Sequence, residues 1–117
     1  MPQFRSPIHP FVDAIYGDWV AALTRNEFYF HDLEEEILRD LSPNEAFEAI
    51  NDLVGFMLTA QGRDARFWCA SLLLRLAYRS NTTEIPAGLS KNWTSVMDSI
   101  AGRDDVSRQI AEWYRHK

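Results

Sequence analysis

The chain has 117 residues, 46% hydrophobic and 13% aromatic, so it can bury a core without staples and is too apolar to be disordered. A lone cysteine, Cys69, excludes an internal disulfide framework, and the densest apolar stretch, 67–77, is too short and too interrupted (Ser71, Arg75) to cross a bilayer. The net charge of −5 disfavours nucleic acid as a direct ligand and is unevenly placed, with 11 acids and 3 bases in residues 1–60 against 6 acids and 9 bases in 61–117.

Apolar residues recur at helical spacing and no segment alternates with period two, which predicts an all-α fold in a single domain spanning 1–117. The opening MPQFRSPIHP has no secretory pattern, so a cytoplasmic setting is expected, with 1–9 as an extended N-terminal segment. Helix one starts at Pro10 and carries Phe11, Ile15, Trp19 and Leu23 on one face. Helix two covers roughly Asn26 to Leu41, with its start either at Asn26 or at a capping Asp32. Ser42-Pro43-Asn44-Glu45 reads as a capping box opening helix three, which runs to about Gln61 with Gly62 as its stop.

Helix four, Arg63 to Ser80, is apolar around most of its circumference and therefore belongs at the centre. Its narrow polar stripe holds Asp64, Ser71, Arg75 and Arg79, with Trp68 projecting alongside, either to stack on an arginine, the favoured expectation, or to face a partner. After the loop Asn81 to Gly88, helix five uses Leu89, Trp93, Val96, Met97 and Ile100 and stops at Gly102. Helix six uses Val106, Ile110, Trp113 and Tyr114, with Asp104 and Asp105 near its N-terminus and Arg115 and Lys117 near its C-terminus. Six helices joined by short connections predict three antiparallel hairpins, either as a HEAT-like stack or as a compact irregular bundle.

Phe28 to Leu38, FYFHDLEEEIL, invites a search for chemistry. His31 and Glu35 share a helical face, but the Glu-x-x-His repeats of a di-iron bundle and the His-Glu-x-x-His of a zinc protease do not occur. Solvated acids on one helix lack the contrast of environments that acid–base catalysis needs. Cys69 lies on the apolar helix, where a thiol is inert core, and no glycine-rich phosphate loop is present. The bases of the second half are spread over three helices among acids; Arg75 and Arg79 are expected to pair internally rather than to meet nucleic acid. The expectation is a binding protein rather than an enzyme, without cofactor or metal; a metal-dependent helical enzyme is the least favoured alternative.

The acids have a pattern of their own. On helix two, Asp32, Glu35, Glu36 and Asp40 project away from Leu33, Ile37 and Leu41; on helix three, Glu45, Glu48 and Asp52 oppose Phe47, Ile50 and Val54. If the two helices are antiparallel neighbours, the stripes merge into one negative surface joined by Phe28, Tyr29 and Phe56 as aromatic anchors. The plainer reading is a solvated face whose acids stabilise the first helical turns.

In size, acidity and helical layout the chain resembles the small all-helical, HEAT-like immunity proteins of bacterial contact-dependent inhibition and related polymorphic toxin systems. That resemblance includes no diagnostic motif. It implies a protein that neutralises a basic toxin domain, a nuclease in the leading case, by occluding its active site, and that is a monomer alone or 1:1 with the toxin. A helical adaptor or scaffold for a constitutive protein partner is the alternative.

Overall fold

Eight helices build the part of the chain that the computed structural model describes: residues 6–60, 62–101 and 104–114, with every side chain but those of Arg63 and Asp104. The first, α1 (His9–Tyr16), has Pro10 in its opening turn and ends where the Gly17 N–H donates to the Asp13 and Ala14 carbonyls. Asp18 then caps α2 (Trp19–Arg25), its carboxylate accepting from the Ala21 N–H at 3.1 Å. The single helix expected from Pro10 through Leu23 is therefore two. Glycine weakens a helix interior and aspartate satisfies free N–H groups at a helix start, and together they outweigh the continuous apolar spacing.

Helix α3 (Tyr29–Arg39) begins at neither Asn26 nor Asp32. The Asn26 side chain accepts from the Phe28 N–H at 3.0 Å and donates to Asp32 at 3.2 Å, folding the chain into a turn before the helix. In α4 (Pro43–Thr59) the capping box forms in full, with Ser42 accepting from the Glu45 N–H at 3.1 Å and Glu45 from the Ser42 N–H at 2.9 Å. Helix α5 (Arg63–Ser80) follows Gly62 and ends at Asn81, both with positive φ (90° and 56°), a region open to glycine and tolerated by asparagine.

The expected fifth helix is also divided, into α6 (Ala87–Lys91) and α7 (Trp93–Ser99). At the break the Asn92 side chain donates to the Gly88 carbonyl at 2.8 Å, competing with the helical ladder. Helix α8 (Asp104–Tyr114) closes the fold. The expected roles of Gly102, Arg115 and Lys117 fall outside the described residues.

The pair α4 and α5 forms the centre, with α6 and α7 packed on α4, α8 on α5, and α3 on α5, α1 and α2. Leu72, Leu73, Leu76, Cys69 and Ala77 of α5 are wholly buried, as the greasy circumference of that segment requires. The N-terminal side contributes Ile8 and Phe11, whose side chains each stabilise by about 2 kcal/mol when removed from water. Of the segment expected to be extended, 1–5 falls outside the described residues, while Ser6 to Ile8 turn directly into α1 and Ile8 is core. The radius of gyration, 13.6 Å, matches the roughly 13 Å of a compact domain of this length, so the bundle form holds rather than an elongated stack. Among the described residues no helix is long and apolar enough to cross a membrane.

One expected pairing is absent: α3 and α4 are joined by a short connection but share almost no packing. Pro7 and Pro10 line a groove with Leu33 and Ile37 of α3 and with Leu41 just beyond it, while Ile8 and Val12 line another with Asn51 and Phe56 of α4. The start of α1 thus lies between the two helices. Its own apolar residues need cover, and the cleft between α3 and α4 supplies it.

Candidate partner-binding surface

The acids of α3 divide according to what α5 needs. Glu34 is 3% exposed, and its carboxylate accepts from the Arg75 Nη1 at 3.0 Å. The other guanidinium nitrogen of Arg75 donates to Glu35 on the next residue of α3. Burial raises the Glu34 carboxyl above its ordinary range, against the opposing pull of the hydrogen bond and charge of Arg75. Glu35, at the surface, is held below that range by the hydrogen bond and charge of Arg75. Arg79, the other arginine of the stripe, donates to the Leu41 carbonyl at 2.8 Å. These three anchors tie α5 to α3 and its exit. Helical projection gives Glu34 no place in the acidic face, and only the α3–α5 contact reveals it as internal.

Trp68 is half-buried, and its partner is Phe30, with ring centroids 4.5 Å apart and an interplanar angle of 24°. Arginine was the expected partner. Phe30 also meets Phe11, Trp19 and Tyr29, and so gathers α1, α2 and α5 around the start of α3.

The remaining acids and aromatics stay at the surface in separate places. Phe28 is 58% exposed, whereas Tyr29 is half-buried with its edge on Phe30. Asp32 is exposed and held by Asn26; Glu35 is exposed and held by Arg75. Glu36 and Asp40 are exposed and edge the groove between α1 and α3. Glu45 is committed to the capping box, and its hydrogen bonds with Ser42 hold its carboxyl below the usual range. Glu48 edges a hollow beside Phe47 and Glu84, on the side of α4 near the end of α5. Asp52 and Phe56, both half-buried, border the groove between α1 and α4. The single merged stripe therefore does not form, because α1 separates α3 from α4. Instead Glu36 and Asp40 lie on one flank of α1 and Asp52 lies on the other.

Other candidates for chemistry take ordinary roles. His31 lies 3.8 Å from Asp32 and 3.7 Å from Glu35, but among the described residues no three His, Cys, Asp or Glu gather as a metal site. The Cys69 thiol is fully buried, and desolvation pushes it up to about 12, leaving no thiolate near neutral pH.

Tyr16 was missed from the sequence. It is 75% exposed at the end of α1, with its ring against Phe56 in an edge contact at 5.6 Å. A residue at the last position of a helix gives no signal of its own; only the split between α1 and α2 turns it toward α4. Comparison with known proteins gives no match of the chain to a family model, to a curated protein or to a solved structure.

Proposed function

We propose that the chain is a binding protein for a basic protein partner, engaged across the face that α1 shares with α3 and α4. The observation that carries this reading is the coupling of acid to apolar groove on both flanks of α1. Glu36 and Asp40 edge a groove floored by Leu33 and Ile37, and Asp52 edges one floored by Ile8 and Val12. Charge at a groove rim steers and orients a cationic partner, while the apolar floor supplies contact area. Phe28 adds an exposed ring outside these grooves. In its most specific form the partner is a toxin domain, a nuclease in the leading case, neutralised by occlusion of its active site.

The test is co-expression with the product of the adjacent reading frame. A basic, growth-inhibiting product that this chain neutralises supports the specific form, provided that the variant Glu36→Lys/Asp40→Lys/Glu48→Lys/Asp52→Lys folds and gives no protection. A constitutive, non-toxic partner bound through the same acids makes the chain an adaptor. Protection or complex formation unchanged by the four reversals removes the acidic surface from the mechanism.

A further inference from the structure

Where the α1–α2 corner meets the α4–α5 corner, a cavity of about 460 Å³ opens to the surface. Its walls include three aromatic rings from three helices: Tyr16 from the end of α1, Trp19 from the start of α2 and Phe56 from α4. Asp64, exposed in the first turn of α5, lines the cavity on the remaining side. Ile15, Ala60 and Ala65 complete the apolar lining.

The rings are held in place rather than collected by chance. Trp19 is braced by Phe30 at 6.1 Å, and Tyr16 stands edge-on to Phe56 with an interplanar angle of 77°. Tyr16 is 75% exposed, so its aromatic face is available to a visitor. Asp64 is exposed, and no hydrogen bond or ion pair engages its side chain among the described residues. Aromatic faces attract cations through their quadrupole, and a carboxylate at the rim adds a hydrogen-bond acceptor and a full negative charge. Such a lining suits a cation better than a neutral or anionic group.

We propose that this aromatic cavity is a cation-binding pocket that receives a lysine or arginine side chain of the partner protein. The proposal rests on the reading of the chain as a binder of a basic protein. It also fits the layout, because Phe56 forms a wall of both this cavity and the adjoining groove that carries Asp52. A basic segment lying along that groove would deliver a cationic side chain past Phe56 to Asp64.

Titration of the full chain with N-acetylarginine amide, followed by NMR at the Trp19 indole N–H, isolates the pocket from any partner. N-acetylcitrulline amide, which is neutral and nearly the same shape, is the control. Saturable shifts with the arginine probe and at least roughly tenfold weaker binding of the citrulline probe are expected. Tyr16→Ala and Asp64→Asn should each weaken the arginine probe roughly three- to tenfold while leaving the melting temperature unchanged. Equal binding of the two probes, no saturable shift, or indifference to both substitutions overturns the pocket. Partner binding that survives both substitutions while the probe is lost overturns the proposed occupant. Neither failure touches the partner reading, which fails separately if the four charge reversals, none of them in this cavity, leave partner binding intact.

Discussion

Arg75 of α5 donates to the carboxylate of Glu34 of α3 at 3.0 Å, with that carboxylate almost wholly buried and the guanidinium a quarter exposed. The asymmetry decides what each deletion does. Glu34→Ala leaves Arg75 with both Glu35 and solvent, and should cost about 1–2 kcal/mol in urea unfolding. Arg75→Ala strands a buried carboxylate and should cost more, about 3 kcal/mol. Equal costs would mean that the two groups share one environment.

The same pair sets a pH dependence of known sign. The folded state raises the Glu34 carboxyl above its usual value of 4.5, so at intermediate pH the folded chain binds more protons there than the unfolded chain. Its contribution to stability is therefore greatest below that value and declines as pH rises through the folded pKa. Glu35 and Glu45 act oppositely, contributing above 4.5 and losing that contribution as pH falls through their lowered folded values. Stability of the wild type relative to Glu34→Gln should rise as pH is lowered from 7 toward 4.5. A difference independent of pH would place Glu34 in solvent.

The divided first helix depends on Asp18. Removing its cap with Asp18→Ala should cost about 1 kcal/mol, read as a lowered urea midpoint with an unchanged slope. Gly17→Ala should cost little, since a Cβ there meets only the Asp13 and Ala14 carbonyls at 3.4 and 3.6 Å. A larger effect of Gly17→Ala than of Asp18→Ala would contradict this division of labour.

The docking of α6 on α4 rests on a close approach of Gly88. Its N–H donates to the Asn51 side chain at 2.7 Å, and an added Cβ would lie 2.6 Å from the same oxygen. Gly88→Ala should therefore displace Asn51 and cost about 1–3 kcal/mol. Asn51→Ala should cost about 1 kcal/mol by itself, and the double variant should cost less than the sum, because both changes break one hydrogen bond. Strict additivity would show that they act separately.

Much of the fold is legible in the sequence where local chemistry and apolar spacing agree. The Ser42–Glu45 box and the greasy run from Arg63 to Ser80 place α4 and α5 almost to the residue. Gly17-Asp18 and Asn92 sit within continuous apolar faces that predict unbroken helices, and the structure gives these breakers the larger weight. The surface was the harder part. Helical projection sorts acids by angle and cannot know that α3 packs on α5 rather than α4, so it gives no sign that Glu34 is buried and merges two stripes that α1 holds apart. Trp68 failed similarly: its angle gave an arginine as neighbour, whereas the tertiary contact supplies Phe30.

The exposed ring of Phe28 separates binding from stability. Phe28→Ala removes a side chain that is 58% exposed and should change unfolding free energy by no more than about 0.5 kcal/mol. Any loss of partner affinity in that variant would then belong to the interface. A large drop in stability would return Phe28 to the packing of α3.

The central claim is that Glu36, Asp40, Glu48 and Asp52 meet a basic protein. The most direct measurement compares, by quantitative mass spectrometry, the host proteins retained by the wild-type chain and by a folded variant with all four reversed to lysine. A basic protein held in stoichiometric amount by the wild type, released by moderate salt and absent from the variant is the expected result. Retention of the same proteins in the same amounts by both chains would contradict it.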